Sequence, residues 1–190
     1  MKKIPGLFLL LFILSACTQT PTISQSSNSA TNAGTESSVS AKSGKIAFTE
    51  ITVKPVELYD LLAEELPSAA LTKIALETSV RYGFIYEAEA LDQTNRREYE
   101  WRIHPATKEI IRQEESRSLD RETALTREQV EKITEIVDSV LAGAGTNARL
   151  DGWSAEVEAG RPILEVELAG IPGSEKYFNL DTGALIRIDD

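Results

Sequence analysis

The chain has 190 residues, of which 30 are acidic and 20 are basic, so its formal net charge is −10 at pH 7. This surplus of negative charge repels phosphate backbones and anionic lipid headgroups, and it argues against nucleic-acid binding. The chain contains one cysteine and one histidine. One cysteine excludes an intramolecular disulfide framework and a multi-cysteine zinc site within one chain.

The first residues have the layout of a secretory signal. Lys2 and Lys3 precede an apolar run, Ile4 to Ile13, which is shorter than the roughly 20 residues that a transmembrane helix needs. The segment Leu14-Ser15-Ala16-Cys17 follows and resembles the end of a bacterial lipoprotein signal. That resemblance implies removal of residues 1–16 and attachment of acyl chains to Cys17. Two chains anchor a protein durably, whereas one anchors it reversibly.

The alternative for Cys17 is an ordinary small core residue or a free thiol. After it, residues 18–45 contain 13 Ser or Thr among 28 residues and no aromatic residue. Such a segment buries too little apolar surface to offset its ordering entropy, so we predict a disordered tether over 17–45. Its average span is about 30 Å. A glycosylated or peptide-recognition segment is the competing interpretation.

Residues 46–190 hold 16 basic and 29 acidic residues and contain pairs of similar segments. Residues 85–90 and 163–168 match in type, and both alternate as half-buried antiparallel strands do. Residues 103–112 and 178–187 both read as an apolar strand end, a polar turn and a short apolar strand. These internal similarities divide the folded part into two similar halves.

A third pair of similar segments, at residues 54–58 and 126–130, corresponds to two predicted helix starts. Pro55 suits the first helical position, and Thr126 with Gln129 forms a capping box. Residues 71–80 fit either a helix or a strand. We favour a strand, because Pro67 breaks the preceding helix and β-branched residues are frequent.

Each half therefore reads as one helix followed by four strands. We predict an α+β fold of two tandem units, 46–118 and 119–190, each with one helix packed on a small antiparallel β-meander. Units of this size bury a modest core, so we expect them to pack against each other.

This order of elements resembles the PepSY domain, in two tandem copies. The resemblance rests on the strand Ile85–Ala90, the segment Tyr99–Ile103 and the turn Asp181-Thr182-Gly183. PepSY units occur in propeptides of thermolysin-type metallopeptidases, and the implied role is the inhibition or modulation of peptidases. The family turn usually has an aspartate where this chain has His104 and Asn179.

Catalysis finds little support in the sequence. His104 lies at a predicted turn, outside any metalloprotease motif, and we interpret it as a turn residue that accepts local hydrogen bonds. Trp101 and Trp153 are interpreted as packing residues. Three glutamate pairs lie at alternate positions of strands and fit a solvated sheet face, with acid–base or Ca²⁺ roles as the alternative: Glu87 with Glu89, Glu156 with Glu158, and Glu165 with Glu167. We predict no catalytic, metal-binding or cofactor-binding residues.

The sequence thus predicts a lipid-anchored protein on the extracytoplasmic face of a bacterial cell membrane. The favoured function is a non-catalytic binding module that inhibits or modulates a peptidase or another envelope protein. The alternative is a sensory or structural envelope protein that binds a small ligand or cation through its acidic surface. Nucleic acid is not an expected partner.

Overall fold

The computed structural model describes residues 45–189, which form two helices and one antiparallel sheet after a 3₁₀ turn at Phe48–Glu50. The helices are α1 Pro55–Glu65 and α2 Arg127–Gly143. The strands are β1 Ala70–Ser79, β2 Gly83–Asp92, β3 Arg97–Ile103, β4 Ile110–Arg117, β5 Arg149–Glu158, β6 Arg161–Ala169, β7 Glu175–Asn179 and β8 Leu185–Asp189. The predicted signal, Cys17 and the predicted tether up to residue 44 lie outside the described residues.

Both helices begin where the sequence predicts. The Thr126 hydroxyl accepts a hydrogen bond from the Gln129 amide at 3.3 Å, and the Gln129 side chain accepts one from the Thr126 amide at 2.8 Å. Pro55 occupies the first turn of α1. The Thr126–Gln129 pair satisfies amide groups that have no partner within α2, and Pro55 has no N–H that would need one in α1, so both boundaries are set locally.

The strand predictions for residues 71–80, 85–90 and 163–168 are confirmed, as β1, β2 and β6. The two predicted hairpins are also present, as β3–β4 and β7–β8. The similar segments therefore form corresponding strands and hairpins in the two halves of the chain.

The predicted fold class is wrong, because the eight strands form one sheet in the order β4-β3-β2-β1-β5-β6-β7-β8. The first strands of the two halves pair with each other, from Lys73 opposite Glu156 to Leu76 opposite Trp153. Without this pairing, β1 and β5 would each expose a row of unpaired backbone groups. The result is a mainly β fold, and not two helix-on-meander units with separate sheets. The domain boundaries 46–118 and 119–190 stay a prediction.

Both helices pack on the same face of this sheet and share one core. The core joins residues of α1, α2 and five strands, including Leu58, Leu62, Ile74, Leu76, Trp101, Ile103, Val130, Ile133, Val137, Trp153, Leu164 and Val166. The helices contact each other as well as the central strands. Within residues 45–189, neither helix is long and apolar enough to cross a membrane. Since both helices lie on one side, they leave the other side of the sheet uncovered.

Candidate functional site

The side of the sheet opposite the helices is the candidate functional site, and we call it the open face. Side chains alternate along each strand, so neighbours of core residues point to this side. The strand registers align them in rows across the sheet. The main residues of the open face are Lys73, Ala75 and Glu77 on β1; Ile85, Glu87 and Glu89 on β2; Glu98, Glu100 and Arg102 on β3; Ser154 and Glu156 on β5; Ile163, Glu165 and Glu167 on β6; and Glu175 and Tyr177 on β7.

A network of charged side chains crosses three adjacent strands near the middle of the open face. The Lys73 Nζ lies 3.3 Å from Glu89 Oε1 and 3.8 Å from Glu87 Oε1. Glu87 is also contacted by Arg102, with its Nε 3.3 Å from Oε2, and Arg102 reaches Glu100 at 3.4 Å. Cross-strand pairs of opposite charge stabilise a sheet, so this network holds β1, β2 and β3 in register.

These charges are partly shielded from water although neither α1 nor α2 covers them. The Glu87 side chain is only 12% exposed, and those of Lys73 and Glu89 are 25% and 26% exposed. The shielding comes from neighbouring side chains of the same face, because the helices contact the sheet from the other side. Part of the desolvation that a bound partner would require has therefore already occurred in the free protein.

The pKa values reflect this partial burial. Burial acts to lower the pKa of Lys73, but the carboxylates of Glu89 and Glu87 outweigh it and raise the pKa. For Glu77 and Glu156, burial is the main cause that raises the pKa of the carboxyl group. The pKa of Glu167 is raised for the same reason, and the neighbouring Glu165 adds to it. The open face therefore holds carboxylates whose charge its own cations do not fully compensate.

The aromatic side chain of Tyr177 is held by polar contacts toward the β7–β8 end of the face. The Tyr177 hydroxyl lies 2.6 Å from Glu165 Oε1, and this hydrogen bond raises the pKa of Tyr177 to about 12. The guanidinium of Arg187 lies 3.7 Å from the centroid of the Tyr177 ring. Tyr177, Ile85 and Ile163 are all buried. The open face thus also carries buried apolar side chains, which are distributed over β2, β6 and β7.

A shallow depression of about 370 Å³ opens between β1 and β5. Gly152 lies in it, and a Cβ atom there would be 2.8 Å from the carbonyl oxygen of Leu76. Glycine is therefore required by the close approach of the two strands. The polar residues that line the depression are Lys73, Glu77, Thr78, Asp151, Ser154, Glu156 and Glu167.

The structure places His104 where the sequence predicts, in the β3–β4 turn. Its Nδ1 accepts a hydrogen bond from the Ala106 amide at 3.1 Å. The side-chain oxygen of Asn179 accepts hydrogen bonds from the amides of Asp181 and Thr182 in the β7–β8 turn. Both residues therefore stabilise their turns through local hydrogen bonds.

The tryptophans and glutamate pairs also lie where predicted. Trp101 and Trp153 are buried, at 2% and 5% exposure. The glutamates of the pairs from β2, β5 and β6 lie on the open face, and Glu87, Glu89 and Glu156 there share contacts or electrostatic interactions with Lys73. The sequence analysis did not identify Lys73 or Glu77 as site residues. The alternation of apolar and polar residues within 71–80 could have identified both, but the same segment also fits the spacing of a helix.

The open face is an acidic surface with buried apolar side chains among its charged groups. Such a surface can attract cationic groups and can bury area against a partner. Among residues 45–189, no group of three or more His, Cys, Asp or Glu side chains is arranged to hold a metal ion.

No protein-family model matches the chain, and no curated protein matches it in sequence. One solved structure is similar in fold: the crystal structure of a candidate lipoprotein from Clostridium difficile 630, with 13% sequence identity and a TM-score of 0.52. The similarity covers 73% of this chain and 93% of that chain. It establishes a shared fold over most of the described part of this chain, while the resemblance to PepSY has no family match.

Proposed function

We propose that this chain is a bacterial lipoprotein, anchored through Cys17 on the extracytoplasmic face of the membrane. Two independent observations support the proposal. The first 17 residues resemble a lipoprotein signal, and the fold is similar to that of a candidate lipoprotein. Replacing Cys17 with Ala should abolish labelling by a fatty-acid analogue and leave the precursor uncleaved. Labelling that persists in the Cys17→Ala protein would overturn the anchor.

The anchored domain is a non-catalytic binding module that contacts a partner protein through the open face. The observation that carries this proposal is a face of an eight-stranded sheet that neither α1 nor α2 covers and that holds half-buried charged residues. Seven strand spacings of about 4.8 Å give a width of roughly 34 Å, and strands of this length make a surface of several hundred Å². A standard interface buries about 800 Å² per partner, so the open face has the right size.

The preferred partner class is an extracytoplasmic peptidase or another envelope protein, whose activity the module restrains or assists. An anchor and a tether raise the concentration of the domain near membrane-bound partners. The test measures secreted and membrane peptidases of the same cell with and without the purified full chain. A matched pair of variants identifies the surface: Ser154→Arg at the centre of the open face and Ser139→Arg, exposed on α2.

We expect the full chain to change the activity of at least one peptidase. Ser154→Arg should remove the effect, because its long charged side chain obstructs the face, and Ser139→Arg should retain it. If no peptidase responds, the peptidase proposal fails. If both variants act like the original chain, a surface other than the open face makes the contact.

A second candidate function is the sensing of a small organic cation. The depression around Gly152, with Glu77, Glu156 and Glu167 on its lining, is the observation that favours it. Calorimetric titration with a polyamine should then show saturable binding that Glu156→Gln weakens. Heat that does not saturate, or that Glu156→Gln leaves unchanged, would exclude this function.

A further inference from the structure

We infer that the partner received by the open face is a protein surface rich in lysine and arginine. The inference rests on the proposed function and defines its partner chemically. The sheet registers align glutamates from five neighbouring strands on this side. These glutamates are Glu77 on β1, Glu87 and Glu89 on β2, Glu98 and Glu100 on β3, Glu156 on β5, and Glu165 and Glu167 on β6. Lys73 and Arg102 lie among them on β1 and β3, and both are already engaged by glutamates. Arg187 lies at the β8 end of the face, against the Tyr177 ring.

The helix side of the molecule is also acidic, but its carboxylates are held differently. Asp60 is paired with Arg127 at 2.8 Å, and Glu57 with Lys108 at 2.8 Å. These cations lower the pKa of both carboxyl groups. On the open face, by contrast, crowding and partial burial work against the charged form of Glu77 and Glu156. Positive charge added to the open face would therefore relieve the crowding among its aligned glutamates.

The arrangement suits a macromolecule better than a single ion. The acidic rows extend over β3, β2, β1, β5 and β6, which at about 4.8 Å per strand spacing is roughly 20 Å. Buried Ile85, Ile163 and Tyr177 lie on the same face as these charges. Buried apolar side chains interspersed with the charged groups let a protein partner bury area there, and complementary charge raises the association rate.

The test uses a probe of known charge with the full chain. Cytochrome c, a compact lysine-rich protein, is titrated into the full chain in detergent, and its lysine-acetylated form serves as the charge control. Two triple variants with equal net charge are compared. The open-face variant is Glu77→Gln with Glu156→Gln and Glu167→Gln; the helix-side variant is Glu64→Gln with Glu135→Gln and Asp138→Asn, all exposed positions.

We expect the open-face variant to bind cytochrome c about tenfold more weakly at low salt, since three exposed ion pairs together contribute about 1–2 kcal/mol. The helix-side variant should keep its affinity within about twofold, and added salt should weaken the original complex. Acetylated cytochrome c should not bind. Circular dichroism confirms that each variant is folded, and Ser154→Lys provides a single substitution with the same expected loss.

Two results would overturn the inference. The first is no binding of cytochrome c at low salt. The second is an equal loss in both triple variants, which would mean that net charge alone attracts the probe. The proposed function has a separate test, which is contact between Ser154 and a partner in cells. If that partner has a neutral or acidic contact surface, the binding-module proposal stands and the inference of a basic partner fails.

Discussion

Some carboxylates in this protein are held by hydrogen-bond donors, and others are crowded without them. The first kind stabilises the fold, and the second kind can contact a partner. Asp92 is buried, and it accepts hydrogen bonds from Ser68 Oγ at 2.6 Å and from the Asn95 amide at 2.9 Å. These donors, Ser68 first, lower the pKa of Asp92 to about 2. Glu156 has no such donors, and burial raises its pKa. Asp92 therefore stabilises the β2–β3 turn, whereas Glu156 remains available to a partner.

We predict that Asp92→Asn destabilises the protein at neutral pH, because the amide is a weaker acceptor and part of it must act as a donor. The folded-state pKa of Asp92 is lowered, so its contribution to stability is present above the unfolded-state value and is lost as pH falls toward 2. Thermal melts from pH 7 to pH 2 should show the difference between the two proteins shrinking at acid pH. A gap that stays constant across this range would contradict the role of the ionised carboxylate.

At the scale of elements, one side chain connects the segment before α1 to the sheet. The Tyr86 hydroxyl on β2 donates a hydrogen bond to the Val53 carbonyl at 2.7 Å, and Tyr86 is only 2% exposed. The amide of Val53 in turn donates to the carbonyl of Pro105 in the β3–β4 turn. The segment is thus fixed at both its amide and its carbonyl.

We predict that Tyr86→Phe lowers the free energy of unfolding by about 1–3 kcal/mol, because the Val53 carbonyl would lose its partner while buried. Protease cleavage near residues 46–54 should become faster. Tyr59→Phe, at a half-exposed position on α1, is the matched control and should change stability little. Equal effects from the two substitutions would show that the Tyr86 hydroxyl contributes nothing specific.

We predict that the pairing of β1 with β5 makes the two halves of the chain unfold together. Gly152→Ala should destabilise it by about 1–3 kcal/mol, because the new methyl group would press on the Leu76 carbonyl. Gly143→Ala is the control, since a Cβ there has no neighbour within 4 Å. Both variants are measured by thermal unfolding.

The two tryptophans report on the halves separately, because Trp101 lies in β3 and Trp153 in β5. In Trp101→Phe and Trp153→Phe proteins, the remaining tryptophan follows unfolding of its own half. We expect the Gly152→Ala shift to be the same at both. Two distinct midpoints would mean that the halves unfold independently and that the single sheet does not couple them.

The helices, turns and strands were predictable from sequence because their signals are local. Thr126 and Gln129 cap α2 within four residues, and His104 and Asn179 bond to amides two or three residues away. The single sheet was not predictable in this way. Each half satisfies its own pattern, and nothing in the alternation of β1 or β5 shows that these strands pair. The same ambiguity in residues 71–80 concealed Lys73 within the candidate site.

At the scale of the whole molecule, the acidic open face should make stability depend on pH. The pKa values of Glu77, Glu98, Glu156 and Glu167 are raised, chiefly by burial. Raised carboxyl pKa values contribute stability below the unfolded-state value, and this contribution is lost as pH rises through the folded-state value. The melting temperature should therefore be higher near about pH 5 than near pH 8, until lowered groups such as Asp92 are protonated below about pH 4.

The triple variant of Glu77, Glu156 and Glu167 to Gln tests this dependence. At pH 7 its melting temperature should exceed that of the original chain by about 1–4 °C, since surface changes of this kind are worth at most about 0.5 kcal/mol each. Its melting temperature should also vary less between pH 5 and pH 8. A destabilised variant with an unchanged pH slope would show that these carboxylates stabilise the free protein.

The most direct measurement of the central claim is site-specific photo-crosslinking in intact cells. A photoreactive amino acid replaces Ser154 at the centre of the open face or, as the control, Ser139 on α2, and crosslinked products are identified by mass spectrometry. We expect one dominant envelope protein to be captured from position 154, with lysine- or arginine-rich peptides at the contact, and not from position 139. Capture from position 139 alone, or from neither position, would contradict binding through the open face.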